Sequence, residues 1–149
     1  MSDPYNLGRF VQAQAPIYPE VLAELRQGHK TQHWMWFIFP QIKGLGRSEM
    51  AQKFAITALA EAKAYLDHPL LGPRLRECTQ IVVGLEGRSA EEIFGSIDSL
   101  KFRSSMTLFT QATRQHQIFQ AALLKYFAGD PDPRTIGILK DGPGTVSRD

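Results

Sequence analysis

Proline and glycine cut this chain into short segments, and within them apolar residues recur three and four positions apart with little alternation at two. That spacing is the helical period, and it predicts an all-α fold. Residues 7–15 read as a short helix stopped by Pro16. Tyr18-Pro19 then restarts the chain: Pro19 suits a first helical position, Val21, Leu22 and Leu25 share a face, and Gly28 ends the segment. Thr31 can cap a third segment through Phe39, which Pro40 terminates. After a glycine-containing loop over residues 41–47, Ser48 caps what reads as the clearest helix, alanine-rich and continuous to about Asp67. A fifth helix covers residues 69–83, and Ser89 with Glu92 forms a capping box for a short sixth through Phe94. Two more follow at 97–113 and 115–127, and Asp132-Pro133 caps a final turn through Leu139. The expectation is a compact single multihelical domain of about seven to nine helices over residues 1–140, with a disordered tail at 141–149.

A domain of 149 residues buries roughly two thirds of the surface its unfolded chain exposes, so its core needs neither disulfides nor a structural metal. The single Cys78 excludes an intramolecular disulfide framework and a cysteine-rich zinc site, and its place in a helix stripe argues against a nucleophile. Seventeen Lys and Arg oppose fifteen Asp and Glu, and a net charge of +2 gives no electrostatic reason to expect non-specific nucleic-acid binding, so a nucleic-acid partner is not the expectation. No basic, apolar leader opens the chain, and the strongly apolar run at 34–39 is too short to span a membrane; a cytoplasmic address is expected. His29 and His33 have the i, i+4 spacing of helical zinc ligands, but Gly28 and Thr31 mark a break there and no Glu follows His29, so no metal is expected, and no cofactor.

Three segments hold residues that could do chemistry. His33-Trp34-Met35-Trp36-Phe37-Ile38-Phe39-Pro40-Gln41 carries both tryptophans, which enter either the core or an aromatic pocket wall with His33 as its polar member. Lys43-Gly44-Leu45-Gly46-Arg47-Ser48 leads into a helix and combines two glycines with two cations, the ingredients of an anion site, or else of a plain capped turn. It is neither a Walker loop nor a dinucleotide fingerprint. The third is the helix at 97–113. At ~100° per residue, Asp98, Lys101 and Ser105 form a polar strip between two apolar groups, Ile97, Leu100 and Leu108 on one side and Phe102, Met106 and Phe109 on the other. Ser99, Arg103, Thr107 and Thr110 then face solvent. The strip is either a structural ion pair or a pocket lining, with Asp98 as acceptor or general base and Lys101 as anion contact.

These segments, together with Gly44-Leu45-Gly46, His68-Pro69, Leu71-Gly72, Ile93-Phe94-Gly95 and Ser104-Ser105-Met106-Thr107-Leu108-Phe109, closely resemble an uncharacterised family of small, mostly bacterial proteins. It is the domain of unknown function 1810, whose members often carry the label calpastatin. The resemblance runs to about Leu139 and implies a multihelical domain with no established activity. True calpastatins are long disordered protease inhibitors, so the label does not follow. The polar positions His33, Gln41, Ser48, Asp98, Lys101 and Ser105 match the family pattern, and that coincidence implies a shared pocket.

The function expected is a small-molecule-binding protein or enzyme, its pocket walled by Trp34 and Trp36. Gln41, Lys43, Gly44, Gly46, Arg47, Ser48 and Ser105 would hold a phosphate- or carboxylate-bearing ligand, nucleotides included, and Asp98, Lys101 and His33 are the catalytic candidates. The alternative is a protein-interaction module without catalysis.

Overall fold

The computed structural model describes residues 2–141. The tail expected from Asp141 onward lies, apart from Asp141 itself, outside the described residues. Ten helices run in chain order: α1 (Gly8–Gln14), α2 (Tyr18–Gln27), α3 (Met35–Ile38), α4 (Glu49–Lys53), α5 (Leu59–Asp67), α6 (Leu71–Gly84), α7 (Ala90–Phe94), α8 (Ser96–Ala112), α9 (Gln117–Phe127) and α10 (Pro133–Asp141). The all-α class stands, and among the described residues no helix is long and apolar enough to cross a membrane.

The helix count exceeds the expected seven to nine because the alanine-rich segment after Ser48 is two helices. Between them Ile56 leaves the helical path and forms an isolated parallel bridge with Ile42. Its N–H donates to the Gln41 carbonyl at 2.8 Å, and its carbonyl accepts from the Lys43 N–H at 2.7 Å. Arg9 holds this break open. Its guanidinium donates to the carbonyls of Lys53 at 2.7 Å and Ala55 at 2.8 Å, and to Glu61 at 2.9 Å. Glu61 in turn accepts from the Thr57 N–H and hydroxyl. Backbone groups that a continuous helix would satisfy internally are satisfied here by tertiary partners, so local propensity loses.

Elsewhere the punctuation works as physical chemistry requires. Gly28 closes α2 in the left-handed region at φ 74°, a conformation that Gly adopts at no steric cost. Ser89 and Glu92 form the reciprocal capping box that opens α7. Thr31, expected to cap the third helix, does not: α3 has only four residues, begins after Trp34, and has no side-chain cap. The Thr31 N–H is instead drawn to the Glu24 carboxylate at 2.8 Å.

Helix α8 is the central element, packed against α3, α5, α7, α9 and α10. This surrounds it, and the solvent face expected from its wheel is not the observed one. Ser99 and Thr107 are buried, whereas Ile97 and Leu100, assigned to an apolar face, are 71% and 61% exposed. Phe102 of α8 anchors an aromatic cluster with Phe39 and Phe94 at centroid distances of 5.0 and 4.7 Å. A second cluster joins Phe10, Tyr65 and Phe109. The exposed first turns of α8, between α3 and α10, are where the candidate site forms.

Candidate functional site

A cleft of about 410 Å³ opens along the N-terminal half of α8. Trp36 of α3 and Gln41 line one wall, the loop 45–48 with Ala51 of α4 another, and Ile97, Leu100, Lys101, Arg103 and Ser104 of α8 a third; Asp132 and Arg134 at the start of α10 complete it. Four cations thus converge from three places in the fold: Arg47 from the loop, Lys101 and Arg103 from α8, and Arg134 from α10. Among the described residues, one lining carboxylate, Asp132, stands against them.

Each of these groups is positioned differently. Arg103 donates to the carbonyls of Asp130 at 3.0 Å and Pro131 at 2.9 Å, tying α8 to the turn before α10. Arg134 is exposed and reaches the Leu45 carbonyl at 3.4 Å, and Arg47 is exposed, with only its carbonyl bonded, to Gln52. Lys101 stands 4.8 Å over the Trp36 ring, a cation–π contact. Asp132 is buried, its Oδ2 accepting from the hydroxyls of Ser104 at 2.8 Å and Thr135 at 2.6 Å. Burial alone would raise its carboxyl, but the bonds from Thr135, Ser104 and the backbone N–H groups of Arg134 and Thr135 outweigh it and hold the group below the usual carboxylate range. Asp132 is therefore an ionised structural acceptor that fixes α10 against α8.

Six of the sequence candidates meet in this cleft: Trp36, Gln41, Gly46, Arg47, Ser48 and Lys101. Ser48 is the N-cap of α4, its Oγ accepting from the Ala51 N–H at 3.1 Å. Gly46 allows the loop to lie close on α4, since a Cβ there would stand 2.6 Å from the Ala51 Cβ. The remaining candidates lie elsewhere. Trp34 is fully buried and donates its indole N–H to Glu24 at 2.9 Å, so it belongs to the core and not to a pocket wall. Lys43 lines a different cavity with Arg9, Lys53 and Glu61, and Gly44 lines a small recess behind Trp36. Ser105 is fully buried, its hydroxyl without a hydrogen-bond partner among the described residues, because the turn of α8 carries it into the interior and leaves Ser104 toward the cleft.

Asp98 and His33 line a second cleft of about 360 Å³, which shares Trp36, Ile97 and Lys101 with the first and adds Lys30. The Asp98–Lys101 pair foreseen on the wheel is present at 3.4 Å, but a tighter bond at 2.7 Å links Asp98 to Lys30. Each carboxylate oxygen of Asp98 thus faces a lysine, and the group is the shared counter-ion of Lys30 and Lys101. Cys78 is buried, and burial pushes its thiol up to about 12, as expected of an inert core cysteine.

Arg103, Arg134, Ser104 and Lys30 were not foreseen. The helical wheel puts Arg103 on a solvent face, Arg134 stands within a capped final turn, and nothing local to Lys30 distinguishes it from a surface lysine.

A family model described as a protein of unknown function, DUF1810, matches residues 4–139. Among solved structures, the conserved hypothetical protein Rv1873 from Mycobacterium tuberculosis is 56% identical over 93% of this chain and 99% of its own, with a TM-score of 0.92. No curated protein matches.

Proposed function

The chain belongs to the DUF1810 family of proteins of unknown function, and from its geometry we propose that it binds a small phosphate- or carboxylate-bearing ligand, nucleotides included, in the cleft along α8. The observation that carries this reading is the convergence of Arg47, Lys101, Arg103 and Arg134 on a cavity where, among the described residues, the one lining carboxylate, Asp132, is already occupied by Ser104 and Thr135. An excess of cations over carboxylates among the described lining residues of a concave site favours an anion. The cleft volume falls within the ~300–1,000 Å³ of small-molecule sites. Arginines match the oxygens of phosphate and carboxylate with paired donors, and Trp36 and Gln41 offer an aromatic edge and an amide for the rest of the ligand.

Calorimetric titration with inorganic phosphate, pyrophosphate, adenosine mono- and diphosphate and citrate tests this at low salt. At least one of them binds, and Arg47→Gln and Arg134→Gln each weaken it by roughly tenfold, the loss of a charge-assisted contact. Both side chains are exposed, so melting temperatures change little. Added salt weakens binding as well. If none of these anions binds, or if Arg134→Gln binds as the natural chain does, the reading falls.

One observation favours a second reading, a protein-interaction module without catalysis: Ile97 and Leu100 are exposed one turn apart on the rim of the cleft. Replacing both with serine would abolish such an association, read as the loss of a dimer or complex in sedimentation, whereas Arg134→Gln would leave it intact.

A further inference from the structure

We infer that Lys30, which does not line the anion cleft, sets its affinity by holding Asp98 so that Lys101 is available to the ligand. The inference rests on the binding reading above and concerns how that site is tuned. Lys101 borders both clefts and has two partners, the face of Trp36 and the Oδ1 of Asp98. At 3.4 Å its bond to Asp98 is the looser of the two that Asp98 makes. The Oδ2 is held by Lys30 at 2.7 Å, and the Lys30 side chain is only 7% exposed. Lys30 is itself fixed: its backbone N–H donates to the Ile93 carbonyl at 2.8 Å, and its ammonium stands 5.2 Å from the Trp34 ring.

The arrangement is asymmetric, one carboxylate between a buried, fixed lysine and a half-buried, loosely held one. A buried carboxylate stripped of every cation is costly, so whether Lys101 can turn toward an anion depends on what remains on Asp98. With Lys30 in place, Asp98 keeps a short ion pair when Lys101 departs, and its side chain, 18% exposed, is only partly removed from water. Without Lys30, Lys101 becomes the sole partner of Asp98 and is retained by it. Asp98 thus acts as a counter-ion that competes with the ligand for Lys101, and Lys30 weakens that competition. Lys30 and Asp98 are positioning residues that touch no ligand in the first cleft.

The test is a double-mutant cycle, read as the affinity for pyrophosphate in calorimetry, with Arg134→Gln as reference. Lys30→Met lowers affinity by roughly three- to tenfold, a coupling of the size found within one charge network. Asp98→Asn raises it by a comparable factor, and Lys30→Met has no further effect in the Asp98→Asn background. Lys30→Arg restores most of the affinity lost in Lys30→Met. Should Lys30→Met not fold, Asp98→Asn alone and with Lys101→Met still decides, because the gain must vanish when Lys101 is absent. If Asp98→Asn and Lys30→Met leave affinity unchanged while Arg134→Gln lowers it, the inference is overturned and the binding reading survives. If Arg134→Gln is also without effect, the binding reading itself falls.

Discussion

Replacing Gly72 with alanine is expected to cost about 3 kcal/mol or more of stability, at the upper end of overpacking, and to lower the melting temperature by roughly 10 °C for a chain of this size. Gly72 sits in the first turn of α6, where the chain has just turned from α5, and it is buried. A Cβ at this position would stand 2.0 Å from the carbonyl oxygen of Leu66 and 2.9 Å from its carbonyl carbon. Those are backbone atoms of α5 and cannot rotate away as a side chain would, so the two helices must separate. Because α6 packs on α2, α5 and α9, the displacement spreads through the core. Gly84, exposed at the other end of the same helix, has nothing within 4 Å of its Cβ position. Gly84→Ala should therefore be neutral or stabilising by up to about 1 kcal/mol. Thermal or urea unfolding of the two variants side by side measures the difference. Equal, small effects would mean that helices α5 and α6 are not as closely apposed as described.

Glu24 gives the second large effect, through pH as well as through substitution. Its carboxylate is buried on α2 and accepts from the Thr31 N–H at 2.8 Å, the Gln32 N–H at 3.2 Å, the Gln32 side chain at 2.8 Å and the Trp34 indole at 2.9 Å. Burial acts to raise its pKa, but these donors prevail and bring it from 4.5 down to about 2. A depressed folded-state pKa stabilises the protein above the unfolded value, and that contribution is lost as the pH falls from about 4.5 to about 2. At ~1.4 kcal/mol per pKa unit, the contribution at neutral pH is roughly 3 kcal/mol. Glu24→Ala should lose a similar amount at pH 7, since it leaves a buried indole N–H and two backbone donors without their acceptor. Glu24→Gln is the informative control. It keeps the shape and should flatten the acid limb of a stability profile measured by urea unfolding from pH 6 to pH 2. An acid limb identical to that of the natural chain would show that the group titrating in this range is a different one.

The same carboxylate explains why the two tryptophans, two positions apart in one apolar run, have different fates. Trp34 enters the core because Glu24, ten residues earlier, supplies the acceptor its indole needs, and Trp36 is left at the cleft beneath Lys101. Local features were legible wherever the chemistry was local. The capping box at Ser89 and Glu92, the glycine stop at Gly28, the capping Ser48 and the Asp98–Lys101 pair could all be read from spacing. What could not be read depends on partners distant in the chain. The break between α4 and α5 is held by Arg9, whose target carbonyls lie 44 and 46 residues away. A wheel assumes one buried side, whereas α8 is packed on several, so its solvent face was misassigned and Arg103 with it. Arg134 reaches the cleft because distant partners on α8 fix the start of α10, Ser104 through Asp132 and Arg103 through the carbonyls of Asp130 and Pro131.

The difference between the tryptophans also provides the most direct test of anion binding in the cleft. In a ¹⁵N-labelled sample the two indole N–H resonances report separately on the core and on the cleft wall. Titration with inorganic phosphate, pyrophosphate or adenosine diphosphate should shift the Trp36 resonance in a saturable manner and leave Trp34 in place, and Arg134→Gln should move the midpoint to higher concentration. A Trp36 resonance that stays still with all three anions, or a shift that Arg134→Gln leaves untouched, would contradict the assignment of this cleft as an anion site.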